Sequence, residues 1–224
     1  MRKQRRSRPR PTRPRSSVIV VELDPALRDE PRATRLNPDG DPDLPVVRVS
    51  TLASRHPDEA YPDDDFSGSK SRDFRKHGVR VLPDFTMRVA TRRALLRRQE
   101  RLVDLLREQG YWVLNGAPRV GWSVYVVELD PRVREEPGVI RHNPGADFDK
   151  PCVYVGQTGK TPAQRLADHQ AGRNASKHVR DWGLRLMPRL YERFNPLTEL
   201  ESLDMEAALA KNLRKKGYTV LGGH

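Results

Sequence analysis

Hydrophobic and polar positions mark out the second half of the chain most clearly. The run from Trp122 to Leu129 is rich in β-branched and aromatic residues and predicts a strand. A polar, proline-punctuated segment follows from Asp130 to Lys150, with the turn signal NPG at Asn143 to Gly145. Cys152 to Gly156 predicts a second strand, which makes the pair an antiparallel hairpin with a long loop. A helix is then expected. Thr161 supplies the N-cap, Pro162 the first helical position, Gln164 the capping box and Gly172 the stop. On it Ala163, Leu166, Ala167 and Gln170 share one face, whereas Arg165 and His169, four apart, share another. Gly183 to Met187 predicts a short extended piece. A long helix is expected from Glu199 to Lys216, where Leu200, Leu203, Ala207, Leu209, Ala210 and Leu213 recur at about 100° per residue. Glu206 falls inside that apolar arc. Tyr218 to Leu221 closes the series as a strand.

The first half repeats this pattern. Ser17 to Pro38 reads SVIVVELDPALRDEPRATRLNP, and Ser123 to Pro144 reads SVYVVELDPRVREEPGVIRHNP, with fourteen of 22 positions identical at an offset of 106. The endings also match, GYWVLNG at Gly110 to Gly116 and GYTVLGG at Gly217 to Gly223. A period of this length is domain-sized, far beyond the solenoid periods of about 20–50 residues. It predicts two tandem α/β domains of one fold, residues 16–116 and 117–224.

Composition narrows the function classes. Among 224 residues no apolar run reaches the roughly 18 needed to span a membrane, so no membrane partner is expected. The N-terminal segment has no apolar signal-peptide core. Cys152 is the only cysteine, which excludes an intrachain disulfide and Cys-rich zinc sites and fits a cytoplasmic setting. The net charge is +12, of which residues 1–15 carry +8 (seven Arg, one Lys, no acid). This proline-rich segment is expected to be a disordered basic tail. Its charge suits a polyanion, nucleic acid first, or an acidic protein surface. GQTGKT at Gly156 to Thr161 is two residues short of a phosphate-binding loop and is discounted as one.

Three features carry chemistry. SVY (Ser123 to Tyr125) and YVG (Tyr154 to Gly156) stand on adjacent expected strands. Arg165 and His169 stand one turn apart on a helix, as a pair of solvated polar residues or as site residues. Glu206 lies on the apolar side of a late helix, where a carboxylate is costly unless paired or metal-bound. A salt bridge to one of the many arginines satisfies it as well as a metal does. Taken in order, these residues resemble the GIY-YIG nuclease superfamily, over the whole second copy. The resemblance implies a small α/β domain with a three-stranded antiparallel sheet flanked by helices, and phosphodiester cleavage with one divalent metal, Mg²⁺ or Mn²⁺. It further implies that Glu206 binds the metal and that Tyr125 and Tyr154 line the site and position or activate the attacking water. Arg165 would bind the scissile phosphate, and His169 would assist proton transfer or orientation. These residue types suit the reaction, because a metal and a guanidinium stabilise charge developing on phosphate oxygens.

Two departures from the family stand out. The tyrosines are 29 residues apart, further than the family pattern, which implies a hairpin insertion. An Asn expected after the last helix is replaced by Gly222, while the first copy has Asn115 there.

The first copy lacks the set. Ile19 stands for Tyr125, Arg48 for Tyr154, Ser50 for Gly156 and Gln99 for Glu206. Its long helix is arginine-rich, with Arg88, Arg92, Arg93, Arg97, Arg98 and Arg101 on or beside its solvent side. A binding module and a relic kept for packing both fit. The leading expectation is a metal-dependent endonuclease acting on DNA or RNA. The alternatives are a catalytically inactive nucleic-acid-binding protein on a duplicated nuclease fold, and a protein-interaction scaffold.

Overall fold

The computed structural model describes residues 16–53 and 60–223. The basic segment 1–15, expected as a disordered tail, lies outside the described residues. The chain divides into two compact units, Met1–Ala117 and Pro118–His224.

In the first unit, strands β1 (Ser16–Leu23), β2 (Val46–Leu52), β3 (Gly78–Val81), β4 (Met87–Val89) and β5 (Trp112–Val113) form one sheet. Its order is β3-β1-β2-β5, with β4 also pairing β1. Helices α1 (Pro31–Leu36), α2 (Arg72–His77) and α3 (Arg92–Glu108) accompany it. Alternation along β1 feeds two cores. Val18 and Val20 pack with Leu95, Leu102 and Leu106 of α3. Ile19, Val21 and Leu23 pack with Phe66 and Phe74 on the other face.

In the second unit, β6 (Ser123–Leu129), β7 (Cys152–Thr158), β8 (Gly183–Leu186) and β9 (Thr219–Gly222) form a sheet of order β8-β6-β7-β9. Helices α4 (Pro162–Gln170) and α5 (Lys177–Trp182) precede β8, and α6 (Glu199–Lys215) precedes β9. The capping boxes at Thr161 and Thr198 are both formed, which fixes where α4 and α6 begin.

The expected three-stranded antiparallel sheet is corrected in both units. Gly183 and its neighbours form a true edge strand, and the last strand runs parallel to its neighbour, β9 to β7 and β5 to β2. A long helix lies directly before each of these strands. It carries the chain back along the sheet, so the strand enters in the direction of its neighbour.

Buried amide side chains hold these parallel strands. Asn143 donates through Nδ2 to the Val139 carbonyl at 2.9 Å and accepts the Val220 N–H at 2.9 Å. Asn37 makes the matching bonds to Ala33 (3.0 Å) and Val113 (2.9 Å). The long Asp130–Lys150 connection is also pinned. Arg134 donates to the Phe148 and Lys150 carbonyls and to the Thr219 hydroxyl. Arg28 makes the corresponding bonds to Pro42 and Leu44.

Asn143→Ala would leave a buried carbonyl and a buried N–H without their partner, a cost of about 1–3 kcal/mol. Thermal denaturation of the variant should show a lower Tm, by about 4–8 °C for each kcal/mol in a domain of this size. An unchanged Tm would mean that β9 is held by its helix alone.

Candidate functional site

The β6–β7 register places the two tyrosines on one face of the sheet. Tyr125 is opposite Gly156, and Val127 is opposite Tyr154. Tyr125 and Tyr154 are therefore diagonal neighbours, with ring centroids 6.2 Å apart. Gly156 makes this possible. A Cβ there would lie 2.7 Å from the Tyr125 hydroxyl oxygen and 2.9 Å from Tyr154 Cε1.

Helix α4 closes the cluster. His169 is fully buried, its ring 6.1 Å from Tyr125 and 6.0 Å from Tyr154. The face expected to be apolar is corrected. Ala163, Ala167 and Gln170 are exposed, and α4 turns Arg165, Leu166 and His169 toward the fold. Two alanines bury little area, whereas the buried Tyr125 hydroxyl requires a polar partner. His169 provides it, with Nε2 2.8 Å from that hydroxyl. Asp168 is buried on the same helix but points to other partners, Lys160 Nζ at 2.6 Å and Arg173 Nε at 2.8 Å. These bonds hold its carboxyl below the usual range.

The imidazole's protonation follows from its neighbours. The Ser176 backbone N–H donates to His169 Nδ1 at 2.9 Å. Nδ1 is thus an acceptor, the proton sits on Nε2, and Nε2–H donates to the Tyr125 oxygen. The Tyr125 hydroxyl hydrogen is left to donate elsewhere. Ser176 is the residue that pattern reading missed. It is the N-cap of α5, and its side chain also opposes the rise in the pKa of Tyr154. Its only signal was a Ser before a short polar helix.

Arg165 and Glu206 act on both tyrosines. Burial raises the pKa of Tyr125, Tyr154 and Glu206 add to the rise, and Arg165 opposes it by charge and hydrogen bond. Burial followed by Glu206 raises that of Tyr154, with Ser176, Arg165 and Tyr125 opposing. Both phenols are consequently protonated at rest. Glu206 lies on the buried face of α6. Tyr125, Tyr154 and His169 thus form one cluster, and Arg165 and Glu206 are close enough for their charges to act on both tyrosines.

No group of three or more His, Cys, Asp or Glu side chains placed to hold a metal occurs among the described residues. A single carboxylate is chemically compatible with Mg²⁺, which keeps several waters and needs one or two carboxylates plus phosphate oxygens. Glu206, a hard-oxygen carboxylate on the buried face of α6, is the residue that would hold it.

The position of the expected Asn has a local explanation. Gly222 pairs with Val155 as part of β9, at φ 75°, and a Cβ there would meet the Val155 carbonyl oxygen at 2.2 Å. In the first unit the Asn115 side chain does this work, bonding the N–H and the carbonyl of Val49 at 2.8 Å each. The rest of that unit's equivalent site is filled differently. Ile19 faces Ser50, Tyr61, Phe66 and Phe74 stack beside it, Arg48 pairs with Asp73, and Gln99 donates to the Val49 carbonyl.

Two measurements check the His169 environment. Burial, then Arg165, lowers its pKa from 6.5 to about 4, against a smaller upward pull from Asp168. Between those values the unfolded chain binds a proton that the folded one refuses, so stability rises with pH across the window. The contribution is complete above about pH 6.5 and is lost as pH falls toward about 4. His169→Gln should flatten that segment of the urea-unfolding curve by on the order of 3 kcal/mol between its ends; an unaltered slope would show that the ring is not held neutral. Ser176→Pro removes the N–H at a residue whose φ of −68° proline tolerates. The ring ¹⁵N shifts of His169 should then lose the Nε2–H pattern, and retention of that pattern would place the tautomer control elsewhere.

Residues 139–219 match the family model of the GIY-YIG catalytic domain. The match begins inside the β6–β7 connection, so it contains Tyr154, Arg165, His169 and Glu206 but not Tyr125. No curated protein and no solved structure matches the chain. Within its second unit the chain is thus similar to the GIY-YIG catalytic domain, over residues 139–219.

Proposed function

We propose that the second unit is a divalent-metal-dependent endonuclease that hydrolyses phosphodiester bonds in nucleic acid. The observation that carries this reading is the cluster of Tyr125, Tyr154 and His169 from β6, β7 and α4, with Arg165 and Glu206 near enough to act on both tyrosines by charge. Arg165 clamps the scissile phosphate and stabilises the charge that develops on its oxygens. Glu206 holds the metal, Mg²⁺ or Mn²⁺. When bound, the metal supplies Lewis-acid stabilisation of the phosphate and of the leaving oxygen.

The tyrosines are protonated at rest, so neither is a standing base. They accept and donate hydrogen bonds to the attacking water, and a proton leaves the site through them only as the water is consumed. The hydrogen bonding of His169 supports its orienting role. With Nδ1 engaged by Ser176, the ring donates to the Tyr125 oxygen and sets the direction of that hydroxyl.

We infer further that the two units are copies of one fold and that the first is catalytically silent. The same strand order, the paired Asn37 and Asn143 bonds and the paired Arg28 and Arg134 bonds support common descent. Silence is supported by the aromatic side chains that fill the equivalent site and by Gln99 at the position of Glu206.

Glu206→Gln should reduce cleavage of labelled DNA or RNA by about 10²-fold or more, the scale seen when one electrostatic stabiliser of a transition state is removed. Chelation of the metal should do the same to the wild type. Circular dichroism and Tm should remain those of the folded protein. Full cleavage by Glu206→Gln would take the metal site away from Glu206.

A further inference from the structure

Residues Ala171 to Ser176 join α4 to α5 and bury no apolar side chain. Ala171, Gly172, Arg173 and Asn174 are exposed, and Ala175 and Ser176 are half-buried. Segments with so few buried contacts belong to the least stable part of a fold. Yet two backbone groups of this loop meet site residues. The Asn174 carbonyl accepts from Arg165 Nη2 at 3.1 Å, and the Ser176 N–H donates to His169 Nδ1 at 2.9 Å. The loop's course is a demanding one, with Gly172 at φ 71° and Asn174 at φ 46°. Asparagine is among the few residues with a Cβ that tolerate the left-handed region. What ties the loop down is Arg173. Its N–H donates to the Asp168 carbonyl at 2.8 Å, and its Nε to the Asp168 carboxylate at 2.8 Å. The other carboxylate oxygen accepts from Lys160 Nζ at 2.6 Å, from the loop that precedes α4. The Asp168 side chain is 10% exposed, whereas its two cations are 60% and 65% exposed. One buried carboxylate is thus held from both ends of the helix.

We propose that Asp168 and Arg173 are a positioning pair that fixes the 171–176 loop and through it aims Arg165 and orients His169, a proposal that deepens the nuclease reading above and rests on it. Three observations support it. First, the pair grips the chain close to both contacts. Asn174 and Ser176 follow Arg173 directly and after three positions, so pinning the loop at Arg173 leaves their peptide groups little freedom. Second, Asp168 shares α4 with both targets, Arg165 and His169. The loop is therefore anchored to the helix whose side chains it orients, and it keeps its place relative to them. Third, stability is a weak reason for the pair. Ion pairs with exposed cations contribute little, and a buried carboxylate must first be taken out of water. What an arginine–carboxylate pair adds is direction. Both residues act through Arg165 and His169, and the phosphate is left to Arg165.

The test uses the full chain with Mg²⁺ and labelled duplex DNA and single-stranded RNA. It reads kcat and KM beside the ring ¹⁵N shifts of His169. Arg173→Gln and Asp168→Asn should each lower kcat by about 10- to 100-fold, the scale of a misplacement of about 1 Å. KM should change little, because the interaction lost is one made in the transition state. In both variants the His169 shifts should move from the Nε2–H pattern toward the average of the two tautomers. The double variant should be no worse than either single one, since both break the same contact. Arg173→Lys keeps a charge beside Asp168 and should recover most of the activity and of the His169 pattern. Arg185→Gln opens an exposed ion pair with Glu128 on β8 and should leave both readouts at wild-type values. A lower Tm with unchanged kcat and an unchanged His169 pattern would make the pair merely structural and overturn the proposal. Failure of Arg173→Lys to recover either readout overturns it too. So does a raised KM in Arg173→Gln that Asp168→Asn does not share, since Arg173 would then touch the substrate itself. If Asp168→Asn does not fold, Arg173→Gln, altered at an exposed side chain, decides alone. Wild-type protein that cleaves neither probe removes the nuclease reading, and the pair's hold on the loop then stands or falls on the His169 shifts.

Discussion

The pairing of Tyr125 with Gly156 across β6 and β7 is the constraint on which the site depends. A sheet has a side-chain period of two, so a slip of one residue would turn Tyr125 to the opposite face. It would then meet the side of the sheet that α6 covers. With the observed register, a residue without a Cβ stands where the Tyr125 hydroxyl needs room, and Tyr154 is set diagonally beside it. The hydroxyl is buried and must be satisfied, which selects the face of α4 that turns inward. Once His169 is inside, its other nitrogen must also be satisfied, and the Ser176 N–H at the start of α5 does this. Register, helix rotation and loop placement are successive answers to one buried phenol.

That dependence explains which parts were legible in the sequence. The strands, the two capping boxes and the buried position of Glu206 follow from local pattern, and local pattern was enough. The rotation of α4 was not, since an Ala163–Leu166–Ala167 stripe is a weak apolar face and the deciding contact comes from a residue some forty positions earlier. Strand direction in the sheet was equally beyond local pattern. Both units end in a long helix followed by a strand, and the parallel pairing arises from that helix returning along the sheet. The departure at Gly222 becomes intelligible only with β9 in place, because backbone occupies the space that the Asn115 side chain takes in the first unit. Ser176 acts through its peptide N–H on His169, a role that any residue but proline can play.

The two units together separate what the fold needs from what the site needs. Polar bonds of the frame occur in both, the buried Asn37 with Asn143 and the more exposed Arg28 with Arg134 and Glu22–Arg80 with Glu128–Arg185. Losing any of the buried ones would strand backbone groups away from water. The site residues have no such obligation. In the first unit Ile19, Phe66 and Phe74 fill the same face with apolar contacts, and the sheet closes over them as well.

This comparison gives the site an energetic meaning. A neutral buried imidazole, two phenols with raised pKa and a buried carboxylate are each costly to bring out of water. An apolar filling of the kind in the first unit avoids those costs, and removing buried polar groups in favour of well-packed apolar ones is often neutral or stabilising. The polar cluster of the second unit is therefore not explained by stability. Its residue types suit the phosphate binding, cation holding and proton direction proposed for them.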